Sequence, residues 1–72
     1  GMVWVTFYQV PADLLQVVIF NAAGQRITSQ PASAINRGNR MTFNLVNEPN
    51  GVYFVKLIYR NRANTIKLMK VR

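Results

Sequence analysis

The chain has no cysteine and no histidine, and its 72 residues include only two carboxylates, Asp13 and Glu48. Without cysteine, disulfide staples and thiolate metal sites are excluded. Without histidine, general acid–base work at neutral pH would fall to a pair of carboxylates held in different environments. Asp13 and Glu48 lie in two separate turns and read as turn or solubility residues. Ser29, Ser33 and the threonines have no base to activate them. Two carboxylates alone, with no nitrogen or sulfur ligand, make no metal set. The sequence therefore predicts a non-enzyme with no metal or cofactor. Long apolar runs are missing as well: Val17-Val18-Ile19-Phe20 falls far short of the ~20 residues a membrane helix needs.

Small secreted domains often carry disulfides. Their absence weighs against a free-standing secreted module, but not against a periplasmic domain attached to a larger one. A domain this short buries only about 60% of its unfolded surface, so its core has little to spare. Gly1-Met2 reads as a cloning remnant and start, ahead of a single domain over residues 3–72.

What the chain does have is positive charge. Nine Lys and Arg against two acids give a formal net charge of +7. All nine lie beyond residue 25, and Arg60, Arg62, Lys67, Lys70 and Arg72 crowd the end. Such a surface favours anionic partners, or simply keeps a half-apolar chain soluble.

The apolar residues alternate, which predicts strands. Val3, Val5 and Phe7 oppose Trp4, Thr6 and Tyr8 in a first strand extending to Val10, which Pro11-Ala12-Asp13 breaks. Leu15 to Phe20 reads as a strand buried on much of both faces. Asn21-Ala22-Ala23-Gly24 closes a type I turn with a bulge, Gly24 taking the left-handed conformation. A short strand over 25–29 returns, and residues 30–39 read as a crossing loop. Met41, Phe43 and Leu45 alternate with polar neighbours in the next strand.

Asn47-Glu48-Pro49-Asn50-Gly51 is the strongest turn signal and predicts a hairpin, with Gly51 at positive φ or a bulge where it enters the following strand. Val52 to Tyr59 forms that strand, residues 60–64 turn, and Thr65 to Val71 forms the last. The sum is an all-β, immunoglobulin-like antiparallel sandwich of six to seven strands. Its expected core joins Met41, Phe43, Leu45, Tyr53, Val55, Leu57, Ile66 and Leu68 to Val17 and Ile19.

Nucleic acid is one alternative, since a basic β-domain with aromatics can stack bases and neutralise phosphates. Gly51-Val52-Tyr53-Phe54-Val55 echoes the RNA-recognition signature. That fold needs two helices this chain lacks, and its alternate aromatic positions would fall on Val52 and Phe54. Core packing is the better reading, and nucleic acid is not expected as a partner.

Three segments in order carry a resemblance. Val17 to Ile27 holds Asn21, two variable residues, Gly24 and Gln25. Phe43 to Lys56 holds Leu45, Pro49 and the run Gly51-Val52-Tyr53. Thr65 to Arg72 is a closing strand of basic and apolar residues. In this the chain resembles the C-terminal sorting domain of the type IX secretion system of Bacteroidetes. The usual Pro-Asn-Pro opening is absent, because Val10-Pro11-Ala12-Asp13 comes too late to supply it. Either the chain begins inside the domain or it is a divergent member.

The resemblance implies a targeting role on a larger exported protein. Transit through the periplasm leads to the outer membrane and cell surface, or to release. It implies the translocon and shuttle proteins as partners, with a sortase-like protease and anionic lipopolysaccharide as further ones. It marks Asn21, Gly24, Gln25, Pro49, Gly51, Val52 and Tyr53 as motif residues. It places the recognised element at Lys67, Leu68, Met69, Lys70, Val71 and Arg72, read as a strand with basic residues on one side and Leu68 and Val71 to pack. Loss of an opening strand would leave a sheet edge unpaired, and open edges recruit a second copy. A nucleic-acid-binding barrel and a structural immunoglobulin-like spacer of a surface protein are the other readings.

Overall fold

The computed structural model describes residues 2–71. Six strands follow in order: β1 (Met2–Thr6), β2 (Leu14–Asn21), β3 (Arg26–Pro31), β4 (Arg40–Asn44), β5 (Gly51–Tyr59) and β6 (Ala63–Lys70), with one 3₁₀ turn at Ala32–Ala34. β3-β2-β5-β6 form one antiparallel sheet, and β1-β4 form a second of two strands. The all-β sandwich expected from the alternation is what forms.

The inner face of the larger sheet comes from odd-numbered residues of β2 and β5. Val17 pairs with Leu57, Ile19 with Val55 and Asn21 with Tyr53. Met41, Phe43 and Leu45, from β4 and the residue after it, come down on this face and are essentially sealed from water. Each fully buried aliphatic side chain is worth about 1.5–3 kcal/mol against exposure. Leu14 and Tyr59, paired at one end of β2 and β5, extend the core beyond the residues expected from sequence.

The expected hairpin at 47–51 is not one. β4 and β5 lie in different sheets, so this turn is an arch that carries the chain across the sandwich. Its two arms meet through side chains, Phe43 and Leu45 sharing a core with Tyr53 and Val55, rather than through a hydrogen-bonded ladder. Turn chemistry specifies a reversal of direction, and it is the same whether the arms then pair or stack.

Ile66 also departs from expectation. It faces inward, opposite Val55, yet is 53% exposed. Leu68, opposite Tyr53, is only half-buried. A two-stranded sheet cannot cover a four-stranded one, and β6 is the edge that overhangs.

Two boundaries shift for reasons of pairing. β1 stops at Thr6, where its partner β4 begins at Arg40; Phe7 then donates its N–H to the Asn39 carbonyl at 2.8 Å. β3 runs on to Pro31 because β2 still offers Gln16 as a partner. Proline is tolerated there because β3 is a sheet edge. No helix among the described residues is long and apolar enough to cross a membrane.

Candidate functional site

The first motif turn is organised by one side chain. Asn21 Oδ1 accepts the Ala23 N–H at 3.0 Å and the Gln25 N–H at 2.9 Å, while Asn21 Nδ2 donates to Gln25 Oε1 at 2.9 Å. The Gly24 N–H closes on the Asn21 carbonyl at 3.0 Å, with Gly24 at φ +86°. Asparagine supplies the acceptor, glycine the positive φ, and glutamine the partner for the amide. The pairing of β2 with β3 shifts register just before this turn, between Ile19 and Phe20.

The second motif is organised by a buried phenol. The Tyr53 hydroxyl donates to the Pro49 carbonyl four residues upstream, tying the start of β5 to the arch that feeds it. This is the local device of the tyrosine corner in sandwich folds. Glu48 N–H donates to the Leu45 carbonyl at 3.0 Å, and Val46 N–H to Asn44 Oδ1 at 2.9 Å. Gly51, at φ +145°, begins the strand.

The two motifs are distant in sequence and adjacent in space. Asn21 pairs with Tyr53, and a shallow cleft of about 200 Å³ is lined by Asn21-Ala22-Ala23 and Pro49 to Tyr53. The closing strand joins the same end: Gly51 pairs with Lys70, Val52 with Met69, Tyr53 with Leu68 and Phe54 with Lys67. Lys70 Nζ donates to the Glu48 carbonyl at 2.7 Å, so β6 is tied to the arch as well as to β5. Sequence reading marked the three segments separately. Their convergence depends on β2 lying beside β5, a pairing with no local signal.

The basic residues of β6 do not share a side. Lys67 is on the outer face beside Phe54, and Lys70 on the inner face beside Gly51. Residues three apart in a strand must point oppositely. Val71 does not pack: it follows the strand and is 73% exposed. Arg72 lies outside the described residues. Elsewhere, Arg62 bonds Asp13 at 2.8 Å and stacks 3.9 Å from the Tyr59 ring centroid, pinning the β5–β6 turn to the loop before β2. Among the described residues no group of three or more carboxylates, histidines or cysteines is placed to hold a metal ion.

Burial, and secondarily the charge of Glu48, push the Tyr53 hydroxyl above its ordinary value of 10. The folded state thus holds a proton that the unfolded chain releases first. Stability from this group is complete below about pH 10 and is lost as pH rises beyond it. Denaturant midpoints measured from pH 8 to 11 should fall more steeply for the parent chain than for Tyr53→Phe. Parallel curves would show that the phenol does not titrate against the fold.

Comparison with curated proteins and with solved structures returns no match. A family described as the secretion system C-terminal sorting domain does match, over residues 1–71. That span takes in both motif turns and the closing strand through Val71. The chain belongs to this family of sorting domains of type IX secretion, whose role is targeting for export.

Proposed function

We propose that residues 3–72 act as a non-catalytic targeting domain that directs a larger exported protein through the type IX outer-membrane translocon. The cargo crosses the periplasm and reaches the cell surface or is released. The translocon and its shuttle proteins are the partners. A sortase-like protease acts where the domain is removed, and anionic lipopolysaccharide receives the cargo where it is anchored. The carrying observation is the family match across essentially the whole chain. It is supported by the gathering of both motif turns and β6 at one end of the sandwich.

Recognition centres on Lys67, Leu68, Met69, Lys70, Val71 and Arg72. Lys67 presents charge on the outer face beside Phe54, while Lys70 is tied to the arch. Charge of this kind speeds encounter with an acidic partner and is screened by salt.

The test fuses the chain behind a periplasmic reporter in a type IX-competent bacterium, with and without residues 67–72. Surface display should fall at least about tenfold without them, equivalent to about 1.4 kcal/mol of lost recognition. Undiminished display from a folded truncated fusion would favour the spacer reading. Lys67→Glu separates charge from packing, because the Lys67 amino group, unlike that of Lys70, makes no hydrogen bond or ion pair among the described residues.

A further inference from the structure

The larger sheet has two apolar faces and one cover. Val17 to Phe20 reads as a strand buried on both sides, as a continuous apolar run does. Yet β1-β4 and the 3₁₀ turn pack on the odd-numbered core. The opposite face of β2 and β5 carries Val18, Phe20, Val52, Phe54 and Ile58. A sandwich face turned to water normally alternates to polar residues, but on β5 only Lys56 is polar there. Val18 is 4% exposed and still stands apart from the core cluster. No strand or helix among the described residues lies over this stripe, and Phe20, Val52, Phe54 and Ile58 stay half-buried.

One row of side chains crosses all four strands. Arg26 pairs with Phe20, Phe20 with Phe54, and Phe54 with Lys67, so a cation closes each end of an aromatic pair. Arg26 donates to Ser29 Oγ, and Ser29 pairs with Val18, which keeps the guanidinium on this face. Lys56, opposite Val18, adds a third positive charge. No carboxylate answers them, because Asp13 and Glu48 both lie outside the strands.

We propose that this face is a docking surface for an acidic amphipathic helix of a partner protein, lying along β2 and β5 between Arg26 and Lys67. The face of a sheet, unlike its edge, offers no backbone hydrogen bonds. An occupant must satisfy its own, as a helix does. Three strand spacings put roughly 14 Å between the Arg26 and Lys67 backbones, which admits one helix about 10–12 Å across. From Val52 to Ile58 the stripe runs about 20 Å, matched by about 14 helical residues. Apolar side chains of the helix meet the phenylalanines, and glutamates on its flanks meet Arg26 and Lys67. That is an apolar interface core with a charge-matched rim. A second copy is a poor occupant: it brings +7 against +7, and its described residues offer no helix beyond one 3₁₀ turn.

The probe is an end-blocked peptide of about 14 residues, with leucine at helical spacing and glutamate on both flanks. Backbone amide shifts of the protein and ellipticity of the peptide follow binding. Saturable binding should shift Phe20 and residues 52–58 and raise the peptide's helicity. Trp4, on the other sheet, should keep its fluorescence. Affinity should weaken about tenfold in Phe54→Thr, about tenfold in Arg26→Glu, and markedly at about 0.5 M salt. Threonine keeps the strand preference of the site. Arg26 is exposed, so its reversal decides the matter if Phe54→Thr fails to fold.

Three results would overturn the helix site: no saturable binding, shifts confined to β1 and β4, or equal binding of the peptide with lysine for glutamate. So would tighter binding of oligothymidylate or of anionic vesicles at the same residues, or a dimer formed through this face. The site stands apart from the targeting role, and neither variant alters Lys67, which the proposed recognition element shares. Surface display of the reporter without peptide binding would sink the helix site and leave the targeting role standing. Peptide binding without display would do the reverse.

Discussion

Phe43→Ala is expected to leave much of the chain unfolded at 25 °C. Phe43 is 1% exposed and sits on β4 opposite Val3, projecting onto the β2 and β5 face. Truncating a buried phenylalanine costs about 3–5 kcal/mol, part transfer and part cavity. A domain of this size has a core that rarely supplies more than about 3–5 kcal/mol net, so the loss is comparable to the whole. Among the described residues only two strands, β1 and β4, cover the larger sheet, which limits how far the packing can relax into the hole. Urea unfolding followed by Trp4 fluorescence would measure it. A midpoint within error of the parent would mean that the β4 face is not the core.

Gly51→Val should destabilise the chain by about 1–3 kcal/mol, the cost of holding a side-chain-bearing residue at a backbone angle reserved for glycine. Gly51 has φ +145°, and a Cβ there would meet nothing within 4 Å, so the strain is conformational rather than steric. The position begins β5 between two anchors, Tyr53 to Pro49 and Lys70 to Glu48. Relaxing φ would displace both. Gly38→Val makes the comparison: Gly38 has no unusual φ, and its Cβ would sit 3.5 Å from Asn36 Oδ1, an ordinary contact. Its effect should stay within about 0.5 kcal/mol. Equal losses from the two variants would show that the arch does not depend on Gly51's conformation.

Much of the fold was legible because alternation assigns faces directly. Met41, Phe43 and Leu45, and Tyr53, Val55 and Leu57, are buried as their parity predicts. Parity was also enough to place Lys67 and Lys70 on opposite faces, although the basic residues of β6 read as one side. Coverage was not legible. Ile66 has the right parity, but its exposure is decided by how many strands lie opposite, and that depends on pairings distant in sequence. The same limit hid the arch at 47–51, whose residues encode a reversal and not which sheet receives the chain. At the site, the hydrogen bonds of Asn21, Gly24 and Gln25 follow from local turn chemistry. The meeting of that turn with Pro49 to Tyr53 follows from β2 pairing with β5, which no window along the chain reports.

The central claim is that this sandwich is read as an address by the type IX machinery. The most direct measurement is protease accessibility of a reporter carrying the intact chain at its C-terminus, compared between a competent strain and one lacking the translocon. The account predicts surface reporter in the first and a folded fusion held in the periplasm in the second. Equal surface exposure in both strains, or periplasmic retention in both, would contradict it.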